Sequence, residues 1–158
     1  MTTAVVDLGP VVKSVDVRRS ARDAFCIFTD EISAWWPMKT HSRARDALGQ
    51  VTVKVTIEPR VGGRVYETLN DGVELEWGEV AAYEPNTRFA MHWHMGRGLE
   101  QATLVSVRFE PLDANSTRVT LTHENWVRMG AEAETLRSGY ANGWVTVFEK
   151  GFAQYANQ

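Results

Sequence analysis

Three ionisable residues stand out because each falls on a strand face that is otherwise apolar: Glu67, Glu79 and His123. Alternation puts Glu67 with Val65 and Leu69, Glu79 with Leu75, Trp77 and Ala81, and His123 with Val119 and Leu121. A carboxyl or imidazole taken out of water must be hydrogen-bonded or change its protonation state. Such groups pair with a nearby Arg or Tyr, sit at a strand end in water, or fix the polar end of a ligand. His123 and Glu67 would act as general base and acid only if both reached one buried ligand position. Gly78 is a candidate bulge, and a bulge there would turn Glu79 outward.

The chain of 158 residues holds six Trp. Large rings fill cores, and they also line pockets for flat apolar ligands. Trp35 and Trp36, beside Met38, are candidates for a pocket mouth. Trp77, Trp93 and Trp144, with Tyr140 and Phe148, are candidates for its walls, and Val65, Met91 and Val107 for the rest of the lining. Trp126 follows the last strand and reads as a shield for a loop. His92 and His94 are two apart on a strand and so share a face, read as outward. That spacing suits a metal, but three or four converging ligands are needed, and only His41 and His123 remain as imidazoles. No metal and no cofactor are expected. Cys26, between Phe25 and Ile27-Phe28, reads as a buried thiol whose thiolate is disfavoured. No Gly-x-Ser-x-Gly turn is present, and Val61-Gly62-Gly63 is too short for a phosphate loop.

These residues need elements to hold them. Residues 1–10 read as a flexible arm ending in Gly9-Pro10, and 11–158 as a single domain. A first strand is predicted over Val11 to Val17. Ser20 and Asp23 then mark a helix start, capping it and placing negative charge in the first turn. A short second helix near Glu31 to Trp36 stops at Pro37. His41 to Gln50 reads as a loop. From Val51 the period becomes two, with Val51, Val53, Val55 and Ile57 predicted to face inward. Turn signals at Gly62-Gly63, Asn70-Asp71-Gly72, Glu84-Pro85-Asn86, Gly96-Arg97-Gly98 and Asp113 to Ser116 cut the following stretch into strands. Phe89, Met91 and Trp93 share one face, as do Val105, Val107 and Phe109. From about Ala131 to Ala156, Leu136, Tyr140, Trp144, Val147, Phe148, Phe152 and Tyr155 form one helical stripe. Gly139 and Gly143 lie inside that helix, each costing about 1 kcal/mol of propensity relative to Ala. Close approach of a backbone or a ligand would account for them.

The fold class is therefore α+β: a strand, two helices, six strands and a long helix. An antiparallel sheet of about seven strands and a helix each have one face to bury, so the helix lies across a curved sheet. Curvature leaves space between them, which is the expected internal cavity.

Composition agrees with a folded globular chain, 44% hydrophobic and 23% charged. Net charge of −3 and a pI near 5.8 give no basic footprint for nucleic acid. No run of 18 apolar residues suggests a membrane span, and the start lacks the pattern of a secretory signal. A soluble cytoplasmic protein is expected, and a homodimer stays open.

Several strings in order then resemble one family. They are Trp35-Trp36-Pro37, Glu58-Pro-Arg-Val-Gly-Gly-Arg64, Trp77-Gly-Glu-Val80 and Glu84-Pro85. His92-Trp93, Thr117-Arg-Val-Thr-Leu-Thr-His123 and Gly143-Trp144 continue the series. Over residues 11–156 the chain is similar to the activator-of-Hsp90-ATPase-like branch of the START/Bet v 1-type (SRPBCC) superfamily. The resemblance implies a helix-grip fold and a small apolar or aromatic ligand between sheet and C-terminal helix. It also implies two rivals, a cyclase, dehydratase or hydrolase using the same cavity, and a co-chaperone-like interaction module. The namesakes carry an additional chaperone-binding domain that this chain has no room for, so a binding module is the preferred expectation over an enzyme or an Hsp90 partner.

Overall fold

A computed structural model describes residues 8–46 and 49–158. The expected arm falls mostly on residues 1–7, outside the described residues, as do two positions of the expected loop before the second strand. The elements run β1 (Val11–Val17), α1 (Ala21–Thr29), α2 (Ile32–Trp35), β2 (Thr52–Ile57), β3 (Arg64–Leu69), β4 (Glu74–Glu84), β5 (Arg88–Trp93), β6 (Thr103–Asp113) and β7 (Ser116–Glu124). A 3-10 turn, Arg43–Asp46, sits in the segment read as loop.

The C-terminal helix begins later than expected. Trp126–Glu132 forms 3-10 turns broken at Gly130, and α3 (Ala133–Trp144) follows. It continues through a π-helical stretch, Val145–Phe152, into α4 (Ala153–Ala156). The wider π turn lets Val147 and Phe152, five apart, share the buried stripe with Phe148.

The sheet is one antiparallel curved layer in the order β1-β7-β6-β5-β4-β3-β2. β2 to β7 make a meander, and β1 closes the far edge against β7. Ser20 caps α1 by accepting a hydrogen bond from the Asp23 amide at 3.1 Å. Phe25 and Phe28, one turn apart, then face the sheet.

The core has two zones. One is phenyl-rich: Phe28 meets Trp35, Phe89, Phe109, Phe148 and Phe152 with centroids 5.1–6.5 Å apart. The other is built of indoles. Trp36 lies 4.8 Å from Trp77, 6.2 Å from Trp93 and 5.9 Å from Trp144. Trp93 in turn lies 5.6 Å from Trp77 and 5.8 Å from Trp144. These rings occupy the space under the helix where a deep cavity was expected. Aromatic pairs add about 0.5–1.5 kcal/mol each beyond the area they bury.

Three bulges overturn the simple alternation. In β2 the register slips between Thr52 and Lys54, so Val51 and Val53 are 58% and 53% exposed while Thr52 turns toward Glu67. In β4 it slips beside Gly78 and again beside Ala81. Glu79 consequently pairs across to Arg64 and His92 away from the core, and Val80 takes the inward place. A Cβ at Gly78 would overlap the backbone carbonyl of His92, so the bulge admits no side chain there.

Candidate functional site

Every Trp side chain donates its single N–H to a defined acceptor. Trp77 Nε1 donates to Glu67 Oε1 at 2.6 Å, Trp144 to His123 Nδ1 at 3.0 Å, and Trp93 to the Tyr140 hydroxyl at 2.9 Å. Trp36, Trp35 and Trp126 donate to the backbone carbonyls of His41, Ile27 and His123 at 2.7, 2.8 and 3.0 Å. Indole burial requires such partners. Glu67 and His123, the inward ionisable residues, therefore orient indoles. Pairing with Arg or Tyr side chains, the alternative to ligand contact, is not what occupies them.

Glu67 is fully buried, and its two oxygens accept from the Arg43 amide at 2.6 Å, from Trp77 and from the Thr52 hydroxyl. His123 is also fully buried. Because Trp144 can only donate, His123 Nδ1 is an acceptor and the ring proton sits on Nε2. Nε2–H then donates to Thr103 Oγ1 at 2.6 Å, and Thr103 donates to the Trp93 carbonyl at 3.2 Å. Burial pushes the imidazole pKa down to about 3. The His123 lone pair is taken by an indole and Glu67 is tied into a separate cluster, so in this arrangement the two do not converge on one ligand position.

The open space lies elsewhere. A cleft of about 350 Å³ runs between α3 and the segment after α2. Of the residues expected to bind a ligand, Trp36, Trp93, Tyr140 and Trp144 line it. Trp35, Val65, Glu67, Trp77, Met91, Val107, His123 and Phe148 are buried in the packing beneath, and Glu79 faces away. Sequence reasoning missed Thr40, His41, Ser42, Met95, Thr135, Leu136 and Val147, which complete the lining with Gly139 and Gly143. The two helix glycines were the available signal. A Cβ built on either meets no atom within 4 Å, so no neighbouring backbone explains them; they form an open floor.

Other sequence candidates separate. His92 is exposed whereas His94 is buried, with Nδ1 accepting from the amides of Gly96 and Gly98 at 3.0 and 3.3 Å. Their expected common face is lost because His94 lies past the end of β5. Among the described residues no three His, Cys, Asp or Glu converge on a metal position. Cys26 is half-buried rather than buried, and desolvation raises its pKa. Trp126 shields no loop: it is core, 4.1 Å from the His123 ring. No helix among the described residues is long and apolar enough to cross a membrane.

Comparison with known proteins follows the same lines. A model of the activator of Hsp90 ATPase homolog 1-like protein family matches residues 18–157. Among solved structures, the chain is 31% identical to an anthrahydroquino-γ-pyrone synthase, Txn09, over 85% of this chain and 88% of that one, with a TM-score of 0.57. It is 23% identical to CalC, a self-sacrificing resistance protein from Micromonospora echinospora, over 94% of each chain, with a TM-score of 0.64. Protein MLL2253 from Mesorhizobium loti is 20% identical over 90% of this chain and 93% of that one, with a TM-score of 0.62. The last two are likenesses of fold. No curated protein matches the chain.

Proposed function

Since the chain belongs to the activator of Hsp90 ATPase homolog 1-like family and has the helix-grip fold, we propose that it binds a flat aromatic small molecule in the cleft against α3. The observation that carries this reading is the floor made by Gly139 and Gly143. Two glycines in a helix interior are costly, and here nothing of the protein fills the space they leave. Trp93, Trp144 and Trp36 supply aromatic walls beside that floor. A relative at 31% identity is named for the synthesis of a fused aromatic pyrone, which supports a planar ligand.

The test separates stability from binding. Gly139→Ala and Gly143→Ala should each stabilise the fold, by up to about 1 kcal/mol. Each should also weaken a planar aromatic probe such as an anthraquinone by roughly tenfold, because one added methyl then occupies the floor. Quenching of Trp fluorescence on titration reads the affinity, and urea unfolding reads the stability. Unchanged affinity in both variants would show that the ligand, if bound, sits elsewhere.

The name of that same relative favours a second reading, a cyclase-type enzyme acting on such a ligand. The imidazole placed to move a proton is then His41, which lines the cleft with Nδ1 2.7 Å from Thr40 Oγ1. Chromatography with mass analysis of the recovered compound distinguishes the two: a binder returns it unchanged, whereas a cyclase returns a product of different retention and absorbance, either an isomer or a species lighter by one water.

A further inference from the structure

A second cavity of about 350 Å³ adjoins the cleft. The two share Ser42, Trp93, Met95, Leu136 and Tyr140, so they lie side by side along one wall as two lobes. Their chemistry differs. The first lobe is mostly apolar, with aromatic walls. The second carries the guanidinium groups of Arg43 and Arg97 and the imidazole of His94, and no carboxylate among its described lining residues.

The carboxylates near this lobe are already engaged. Glu132 accepts from Arg97 at 2.6 Å, and Glu76 lies 3.7 Å from both His94 Nε2 and Arg64 Nε. Arg43 is different. Its Nη1 donates to the backbone carbonyl of Glu76 at 2.9 Å, and among the described residues it forms no ion pair. The turn after β5 fixes where this charge sits. Gly96, at φ +88°, lets the guanidinium lie against the backbone; a Cβ there would come within 2.6 Å of Arg43 Cζ. Met95, which lines both lobes, holds a left-handed φ of +50° in the same turn. Strain of this kind persists only where surrounding structure enforces it.

We propose that the two lobes together take an amphipathic aromatic acid, with its planar body in the first lobe and an anionic oxygen group, a carboxylate or ionised phenol, at Arg43 in the second. Arg97, already paired with Glu132, adds no second free charge, so the anionic group is assigned to Arg43 alone. A guanidinium recognises such oxygens by short charge-assisted hydrogen bonds. This ligand class rests on the binding reading above and adds the sign of the ligand's charge.

Anthraquinone-2-carboxylate and anthraquinone-2-carboxamide are matched probes for it. The wild-type protein should bind the carboxylate about tenfold more tightly than the carboxamide. Arg43→Gln should shrink that gap to within roughly twofold, mainly by weakening the carboxylate. The hydrogen bond from the Arg43 backbone amide to Glu67 does not depend on the side chain, and urea unfolding of Arg43→Gln checks that the fold is kept. Raising the ionic strength should weaken the carboxylate alone. Equal affinities in the wild type, or a gap that persists in Arg43→Gln, would overturn the proposal. If the carboxamide binds and responds to Gly143→Ala but the carboxylate binds no better, the charge assignment fails and the cleft stands. If neither probe binds, both fail together.

Discussion

Glu67→Ala is expected to destabilise the protein by about 4 kcal/mol, whereas Glu67→Gln should cost about 1 kcal/mol. The carboxyl group has no solvent exposure, and three donors converge on it: the Arg43 amide, the Trp77 indole and the Thr52 hydroxyl. Truncation to Ala leaves all three without their acceptor and opens a void. Each orphaned buried donor costs about 1–3 kcal/mol. Trp77 is itself fully buried, so no water replaces its lost partner without further rearrangement. Arg43 and Thr52 lie nearer the surface and recover part of their loss from solvent, which holds the total below the simple sum. Gln preserves the volume and one acceptor oxygen for Trp77 and Arg43. Its amide N–H can donate to Thr52, whose hydroxyl accepts as readily as it donates. Urea unfolding of the two variants measures the difference. A loss below 1 kcal/mol in Glu67→Ala would mean that the cluster does not anchor the indole zone.

The second expected result is a fall in stability as the solution turns acidic, set by His123. Its pKa is lowered from 6.5 to about 3 by burial, so the folded state excludes a proton that the unfolded chain accepts. Above pH 6.5 the imidazole is neutral in both states and its contribution is complete. As pH falls below 6.5 the unfolded chain gains the proton first, and stability drops by about 1.4 kcal/mol per pH unit. The loss reaches about 2 kcal/mol by pH 5 and between 4 and 5 kcal/mol near pH 3. Protonation of Nδ1 would also displace the Trp144 N–H, since that nitrogen has one lone pair. His94 adds to the slope in the same direction, because burial lowers its pKa too. Comparison with His123→Gln isolates the His123 part: the variant starts less stable at pH 7 but should lose about 2 kcal/mol less between pH 7 and 5. Parallel pH curves for the two proteins would contradict the assignment.

Much of this arrangement was legible before folding was considered. Alternation correctly grouped Phe89, Met91 and Trp93, then Val105, Val107 and Phe109, then Val119, Leu121 and His123, because β5 to β7 pair without a slip along those stretches. The helical stripe and its two anomalous glycines were equally plain. Glu79 was misplaced, and so were Val51 and Val53, because a single extra residue in a strand reverses the side-chain parity of all that follows. The sequence hinted at one such residue, Gly78, but carried no comparable mark at Val53 or Ala81. His41 and Ser42 escaped notice because an irregular segment has no period from which to read a direction.

By itself the amino-acid sequence determined the α+β class, the number of strands, the family and the residues that would be buried in most of them. The class, the strand count and the burial follow from local sterics and from the periodicity with which apolar side chains recur, whereas the family was carried by ordered strings such as Trp35-Trp36-Pro37 and Trp77-Gly-Glu-Val80. Only the tertiary structure decided that β1 sits beside β7, that Glu67 and His123 hold indoles in place, and that four tryptophans fill the hollow while a cleft opens over Gly139 and Gly143. Whether a volume is filled depends on how residues far apart in the chain share it, and no window of neighbouring residues contains that information.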